Sequence, residues 1–242
     1  FILEEPEISL HEDAQYKFIK YLMDVCVRKG HQVILSTHSS IILEALPPEG
    51  RKFLLRSSAG VRVLDRISAN RAKSILTDGQ KKALIICVED TFAALVLQEA
   101  IREIRPELLS SLQISPVGDT KAVANAVDLL VSQNIKVIGV RDADKGEDKK
   151  RKLFKLPGTL PPEKEVYENM DVQSIINSKY SIDTEAIFSM QQDLDHHNYG
   201  KLLSTKAYCS EEILNNHAIY AYFDAIGIDS FNDLIQVIEE EI

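Results

Sequence analysis

The sequence is short of cysteine, of long apolar runs and of positive charge, and each shortage removes a class of protein. Its three cysteines, Cys26, Cys87 and Cys209, are odd in number, far apart and set among apolar residues. That suits buried free thiols in a reducing cytoplasm, and without a CxxC pair structural zinc is not expected. No apolar run reaches membrane-spanning length, and the first residues lack a cationic segment leading into an apolar stretch and a small-residue cleavage site. A soluble, cytoplasmic protein with no membrane partner is therefore expected. The formal net charge of -9 argues against a surface coated with cations for indiscriminate nucleic-acid binding. Enzymes that cut nucleic acids remain open, because their metal ions sit among carboxylates and a local basic strip is enough to hold phosphates.

What is present is ordinary globular material: 45% hydrophobic and 27% charged residues, enough to bury a core. At 242 residues the chain exceeds one average domain, and two are expected. It opens on Phe1-Ile2-Leu3, as though inside a buried strand, and without an initiator Met, so it is expected to belong to a longer polypeptide.

Up to about Asn70 apolar runs alternate with amphipathic stretches in βαβα order. Two short strands, Lys52 to Arg56 and Val61 to Leu64, form an antiparallel pair around a turn from Ser57 to Gly60. A helix from Ala69 to Asp78, stopped by Gly79, marks a boundary between a segment 1–79 and a domain 80–180. In that domain the pattern predicts strands over Ala83 to Val88, Gln113 to Val117 and Lys136 to Arg141, with helices over Thr91 to Glu103 and Thr120 to Ser132. This rhythm implies an α/β fold with a right-handed parallel sheet. A helix starts at Pro161 or Pro162, and the segment 181–242 is mostly helical.

Functional groups of an open parallel sheet gather at the carboxyl ends of its strands. Glu89 follows Ala83-Leu-Ile-Ile-Cys-Val88, and Asp142 and Asp144 follow Lys136-Val-Ile-Gly-Val-Arg141. Two residues apart on an extended chain, the two aspartates face one side. Three carboxylates from two strand ends can then meet around one cavity, an oxygen-rich set suited to Mg²⁺ or Mn²⁺. The alternative for each acid is a helix cap or a solvated turn, and for Asp90 capping is the preferred role. Lys145, Lys149, Lys150, Arg151, Lys152 and Lys155 follow the aspartates and offer either a phosphate contact or a solvated loop. His196 and His197, near Asp193 and Asp195, have no helical partner four residues away and are expected to be a surface polar patch.

An apolar strand ending in Glu89, a helix, a strand with Pro116-Val117-Gly118, a helix, then a strand ending in Asp142-Ala143-Asp144 resembles the Toprim domain, over about Lys81 to Ser178. That domain is shared by bacterial primases, type IA and type II topoisomerases and the OLD-family nucleases. Asp90 stands where the family usually has glycine. The resemblance implies a Rossmann-like fold and two metal ions, Mg²⁺ or Mn²⁺, held by Glu89, Asp142 and Asp144, with Glu89 also a candidate general base. The run from Leu156 to Tyr167 resembles the segment by which OLD nucleases bring a further Glu, here Glu163 or Glu165, to the second metal. Lys206, or Lys201, resembles their late lysine.

Phe1 to Gln15, with Glu4-Glu5-Pro6, resembles the Walker B and D-loop segment of RecF, SMC and OLD ATPases. There an Asp at the position of Glu4 assists Mg²⁺, and the next residue, here Glu5, polarises the hydrolytic water. Ser36-Thr37-His38-Ser39-Ser40 resembles the switch-histidine motif, with His38 reading the γ-phosphate. The sequence holds no G-x-x-x-x-G-K-[ST], so ATP is expected as a ligand only with an upstream half or a partner chain supplying that loop. The resemblance implies a metal-dependent DNA nuclease coupled to an ABC-type ATPase, in phage defence or DNA repair, homo-oligomeric in its full form, with Lys149, Lys150, Arg151 and Lys152 on the DNA backbone. The alternatives are a DNA-binding or dimerisation module with a degenerate Toprim fold, and a topoisomerase-like or primase-like enzyme.

Overall fold

The computed structural model describes residues 1–57, 60–76, 82–191 and 194–242. The Ser57 to Gly60 turn, the stop at Asp78 and Gly79, the boundary at 79/80, the start of the resemblance at Lys81, and Asp193 fall wholly or partly outside these ranges. The chain divides into two compact units, Phe1–Ala83 with Ile242, and Leu84–Glu241.

The first unit contains β1 (Ile2–Glu4), α1 (Glu12–Lys29), β2 (Ile34–Ser36), α2 (Ser40–Ala45), β3 (Lys52–Ser57), β4 (Gly60–Asp65) and α3 (Ala69–Leu76). Parallel strands need a crossover of a dozen residues or more, and α1 provides it: β1 and β2 pair in parallel with Ile2 opposite Ile34 and Glu4 opposite Ser36. α1 stops where Gly30 adopts a left-handed φ of 63° and its N–H bonds to the Cys26 carbonyl, a conformation that glycine enters without steric cost. Ile19 of α1 and Ile42 of α2 are buried. β3 and β4 form the expected antiparallel hairpin.

The second unit opens with β5 (Leu84–Val88), α4 (Thr91–Ile104), β6 (Leu112–Pro116), α5 (Thr120–Ser132), β7 (Val137–Arg141) and β8 (Leu153–Lys155). These strands make a parallel four-stranded sheet in the order β6-β5-β7-β8. The Asp90 and Asp119 side chains start the two helices, each accepting a 2.8 Å bond from the backbone N–H three residues on, which satisfies a donor that would otherwise be orphaned. The chain leaves β5 towards β6 and returns across it to β7, so right-handed crossovers lay α4 and α5 on opposite faces. Among the described residues six α-helices follow: α6 (Pro162–Tyr167), α7 (Met170–Tyr180), α8 (Thr184–Ser189), α9 (Tyr199–Lys206), α10 (Glu211–Ile226) and α11 (Asn232–Glu241). α10 packs on α7 and α9 and buries Leu214, Ala218, Ile219 and Tyr222. No helix among the described residues is long and apolar enough to cross a membrane.

β8 is absent from the sequence-based expectation, because three residues after a run of charges carry no periodicity. It also moves the basic strip. Leu153 pairs with Gly139, and the Gly139 N–H donates to the Lys152 carbonyl at 2.9 Å. The chain after Asp144 therefore runs back along the sheet before entering β8, and the Lys149–Arg151 turn lies beside the amino end of β7. In this register Lys152 is level with Ile138, about 13 Å along the strand from Asp142. Lys149 to Lys152 follow the aspartates in sequence but do not adjoin them in space.

Gly139 is demanded by packing. A Cβ on Gly139 would lie 2.7 Å from Leu153 Cδ2 and 2.8 Å from Val123 Cγ1, inside the cluster of Cys87, Val123, Val127, Val137 and Leu153 that joins α5 to the sheet. Gly139→Val is expected to destabilise this unit by about 1–3 kcal/mol through overpacking. Gly146→Ala, in open space, should leave the melting temperature in place, and equal melting of the two variants would refute the close-packing argument.

Candidate active site

β5 and β7 are adjacent and parallel, so the residues that follow them, Glu89 and Asp142, emerge side by side where the strand order reverses, the usual place for a ligand crevice. A cleft of about 940 Å³ opens there, lined by Glu89, Asp90, Asp142, Asp144, Lys145, Glu163, His196 and His197 among others. The aspartates arrive differently from expectation. Asp142, Ala143 and Asp144 form a turn, closed by the Lys145 N–H on the Asp142 carbonyl at 3.1 Å, so a turn and not an extended strand brings both into the cleft.

Glu89 is held in place. Thr120 Oγ1 donates to its carboxylate at 3.0 Å, and the Asp142 N–H donates to Oε1 at 3.2 Å. Asp142 is only 5% exposed, and its Oδ1 has no hydrogen-bond partner among the described residues. Burial first, then the charges of Glu89, Asp90, Glu163 and Asp144, push its carboxyl up to about 7. Lys145 lies 2.5 Å from Asp144, which holds its ammonium above the ordinary range.

The two glutamates of α6 separate. Glu163 is 3% exposed, lines the cleft and leaves Oε2 buried without a partner among the described residues. Burial, then Asp90, raise its carboxyl, against the pull of His197. Glu165 instead fixes a loop: its Oε1 accepts the Thr159 and Leu160 N–H groups at 2.6 and 2.8 Å, and Tyr222 OH donates to Oε2 at 3.4 Å. Of the pair, the cleft receives Glu163.

His196 and His197 do not form the separate surface patch expected of them. His197 Nδ1 lies 2.9 Å from Glu163 Oε1 and 3.3 Å from Asp90 Oδ2, so this nitrogen carries a proton between two acceptors. Burial pulls the His197 imidazole down, but the bond to Glu163 and the nearby carboxylates outweigh it and raise it overall. His196 is lowered, by burial and then by His197. Asp90 does cap α4 through Oδ1, while its other oxygen faces His197. Adjacent histidines give no periodic signal, and only the return of the chain past α8 could reveal their partner.

The remaining cations are placed otherwise. Lys201 and Lys206 are exposed on α9 and line no part of the cleft. Arg151 pairs with Asp128 and Lys152 with Glu241, each at 2.5 Å, while Lys149 and Lys150 are exposed. Lys155 Nζ donates to the Ala143 carbonyl at 3.2 Å beneath the aspartate turn. Among the described residues that line the cleft, the lysine is Lys145.

In the first unit Glu5, at a left-handed φ of 39°, receives His38 Nε2 at 3.2 Å from Oε1. Glu4 is exposed at the end of β1. Glu7, which sequence reasoning passed over, ties the two motifs together: its Oε1 accepts from Thr37 Oγ1 at 2.7 Å and from the His38 N–H at 2.8 Å. Burial opposes its charge, yet these bonds prevail and lower its carboxyl.

Residues 1–43 match the family model described as "AAA ATPase domain". The chain is similar to a structure of the C-terminal region of the Xanthomonas campestris pv. campestris OLD protein phased with platinum, at 19% identity over 66% of this chain and 99% of that one, with a TM-score of 0.34. A second structure of that region, phased with mercury, is 19% identical over 61% of this chain and 98% of that one, with a TM-score of 0.33. No curated protein matches this chain.

Asp142 has a folded value above its ordinary 3.8, so its contribution favours folding at low pH and is lost as pH rises from about 4 through about 7. In metal-free protein Asp142→Asn should raise the melting temperature by several degrees near pH 8, reflecting a few kcal/mol of relieved charge burial. The gain should vanish near pH 4. A variant that melts below the native protein at both pH values would contradict the repulsion.

Proposed function

We propose that the unit Leu84–Glu241 is a divalent-metal-dependent phosphodiesterase acting on DNA, attached to an ATPase of which residues 1–43 are part. The observation that carries this reading is Asp142, buried with an unpartnered oxygen among Glu89, Asp90, Asp144 and Glu163. Carboxylates crowded in this way repel one another, and an oxygen-only set with spare lone pairs fits a hard divalent cation. Glu89, Asp142 and Asp144 would hold Mg²⁺ or Mn²⁺, with Glu163, which lines the same cleft, the candidate carboxylate for a second ion. Bound divalent ions supply charge neutralisation for the phosphodiester and lower the pKa of an attacking water.

The chain's own groups do the rest. Glu89, fixed by Thr120 and the Asp142 N–H, would take the proton of the attacking water as the water oxygen bonds to phosphorus and the phosphorus–oxygen bond to the departing sugar oxygen breaks, that oxygen leaving with a proton from solvent. Lys145 can leave Asp144 for a phosphate oxygen, adding a charge-assisted contact. The acids Glu211 and Glu212 also face the cleft and disfavour an anion anywhere except beside Lys145 and the metal. DNA as the substrate, and a role in phage defence or repair, follow the resemblance to OLD nucleases. The ATPase half of the reading is supported by the AAA match and by the contact between Glu5 and His38, which pairs a water-polarising carboxylate with a phosphate-sensing imidazole.

Purified protein should nick or degrade DNA with Mn²⁺ or Mg²⁺ and without ATP. Asp142→Ala and Asp144→Ala should each slow cleavage by at least the ~10²-fold expected on losing a main electrostatic group. Unchanged rates in both variants, measured on supercoiled plasmid, would overturn the assignment. Lys145→Ala should weaken DNA binding and make its salt dependence shallower by roughly one unit. Changing Lys150, Arg151 and Lys152 together to Ala should leave cleavage at saturating DNA largely intact, since they lie at the other end of the strands.

A further inference from the structure

Glu163, His196 and His197 come from two distant parts of the chain, the first turn of α6 and the His196–Asn198 turn before α9. One donor atom from each lies within 4.8 Å of the other two. The imidazole rings sit 4.1 Å apart between centroids, in a turn started by the Asp195 side chain accepting the His197 N–H at 3.2 Å.

Two features point to a ligand. A buried carboxylate oxygen without a partner is costly unless something satisfies it, and Glu163 Oε2 is such an atom, on a residue 3% exposed and lining the cleft. The existing contact between His197 and Glu163 occupies only Oε1. Beyond His197 stands Asp90 Oδ2, at 3.3 Å from its Nδ1, in the relation of a carboxylate that orients and polarises a metal-bound histidine.

We propose that Glu163, His196 and His197 form a three-ligand site for a first-row transition ion of the Zn²⁺ or Mn²⁺ class, distinct from the oxygen-only set of Glu89, Asp142 and Asp144. Two imidazoles and one carboxylate are the donors of catalytic zinc sites that leave a coordination position open. Mg²⁺ prefers oxygen and water, so it competes poorly for such a set. The two ends of one cleft would then take different metals, a hard ion at the strand ends and an imidazole-bound ion beside α6. The inference shares Glu163 with the proposed function and otherwise stands apart from it, because it is read by metal binding with no DNA present.

The test uses the whole chain, stripped with chelator, held in excess Mg²⁺ and titrated with Co²⁺ as a spectroscopic stand-in. One equivalent should bind with a visible d–d band and be displaced by Zn²⁺. His196→Ala and His197→Ala, both at solvent-accessible positions, and the isosteric Glu163→Gln should each weaken cobalt binding by about 10-fold or more. Glu89→Gln should leave it unchanged. Absence of a Mg²⁺-resistant band, a band indifferent to all three substitutions, or equal loss in Glu89→Gln would each overturn the site. Circular dichroism of every variant separates loss of ligand from loss of fold. A cobalt site in a protein that cuts no DNA would sink the nuclease reading and leave this one standing. Cleavage in Mg²⁺ with no cobalt site would do the reverse.

Discussion

Like charges taken out of water repel strongly, and the second unit buries Asp142 within reach of Glu89, Asp90, Asp144 and Glu163. Much of the surrounding structure can be understood as holding these groups against their own field. The Thr120 hydroxyl and the Asp142 N–H fix Glu89, Lys145 offsets Asp144, and His197 stands between Glu163 and Asp90. Each contact lowers the cost of a negative centre without removing it, which is the condition that favours a cation in the remaining space.

That arrangement rests on backbone devices that carry no charge chemistry of their own. β5 and β7 must be neighbours for two strand ends to share a cleft, and Gly139 lets α5 lie close enough to hold them. Glu165, two residues from Glu163 in sequence, accepts the Thr159 and Leu160 N–H groups and so ties the loop before α6 to the helix. On a helix two residues is about 200° of rotation, so the two glutamates point apart, and the packing of α6 decides which one enters the cleft.

The first unit repeats the principle with fewer groups. β1 and β2 end side by side, and Glu7 binds the Thr37 hydroxyl and the His38 amide, fixing the loop from which His38 reaches Glu5. Residues some thirty positions apart become neighbours because a parallel pair returns its chain ends to the same edge.

The sequence by itself determined the α/β order, the parallel sheet, most strand and helix limits, and the three acids at two strand ends. All of these are local: apolar runs of strand length, amphipathic helices and capping aspartates are written within a few residues of one another. Tertiary structure alone decided what depends on the path between elements. β8, three residues long, gave no periodic signal, yet its register turns the chain back and carries Lys149 to Lys152 away from the aspartates they follow. The choice between Glu163 and Glu165 came from the helix's orientation against its neighbours, which spacing does not encode. His196 and His197 had no partner four residues away on a helix, and His197 met Glu163 and Asp90 only because the chain folds back on α6, a long-range closure set by the packing of the whole helical region.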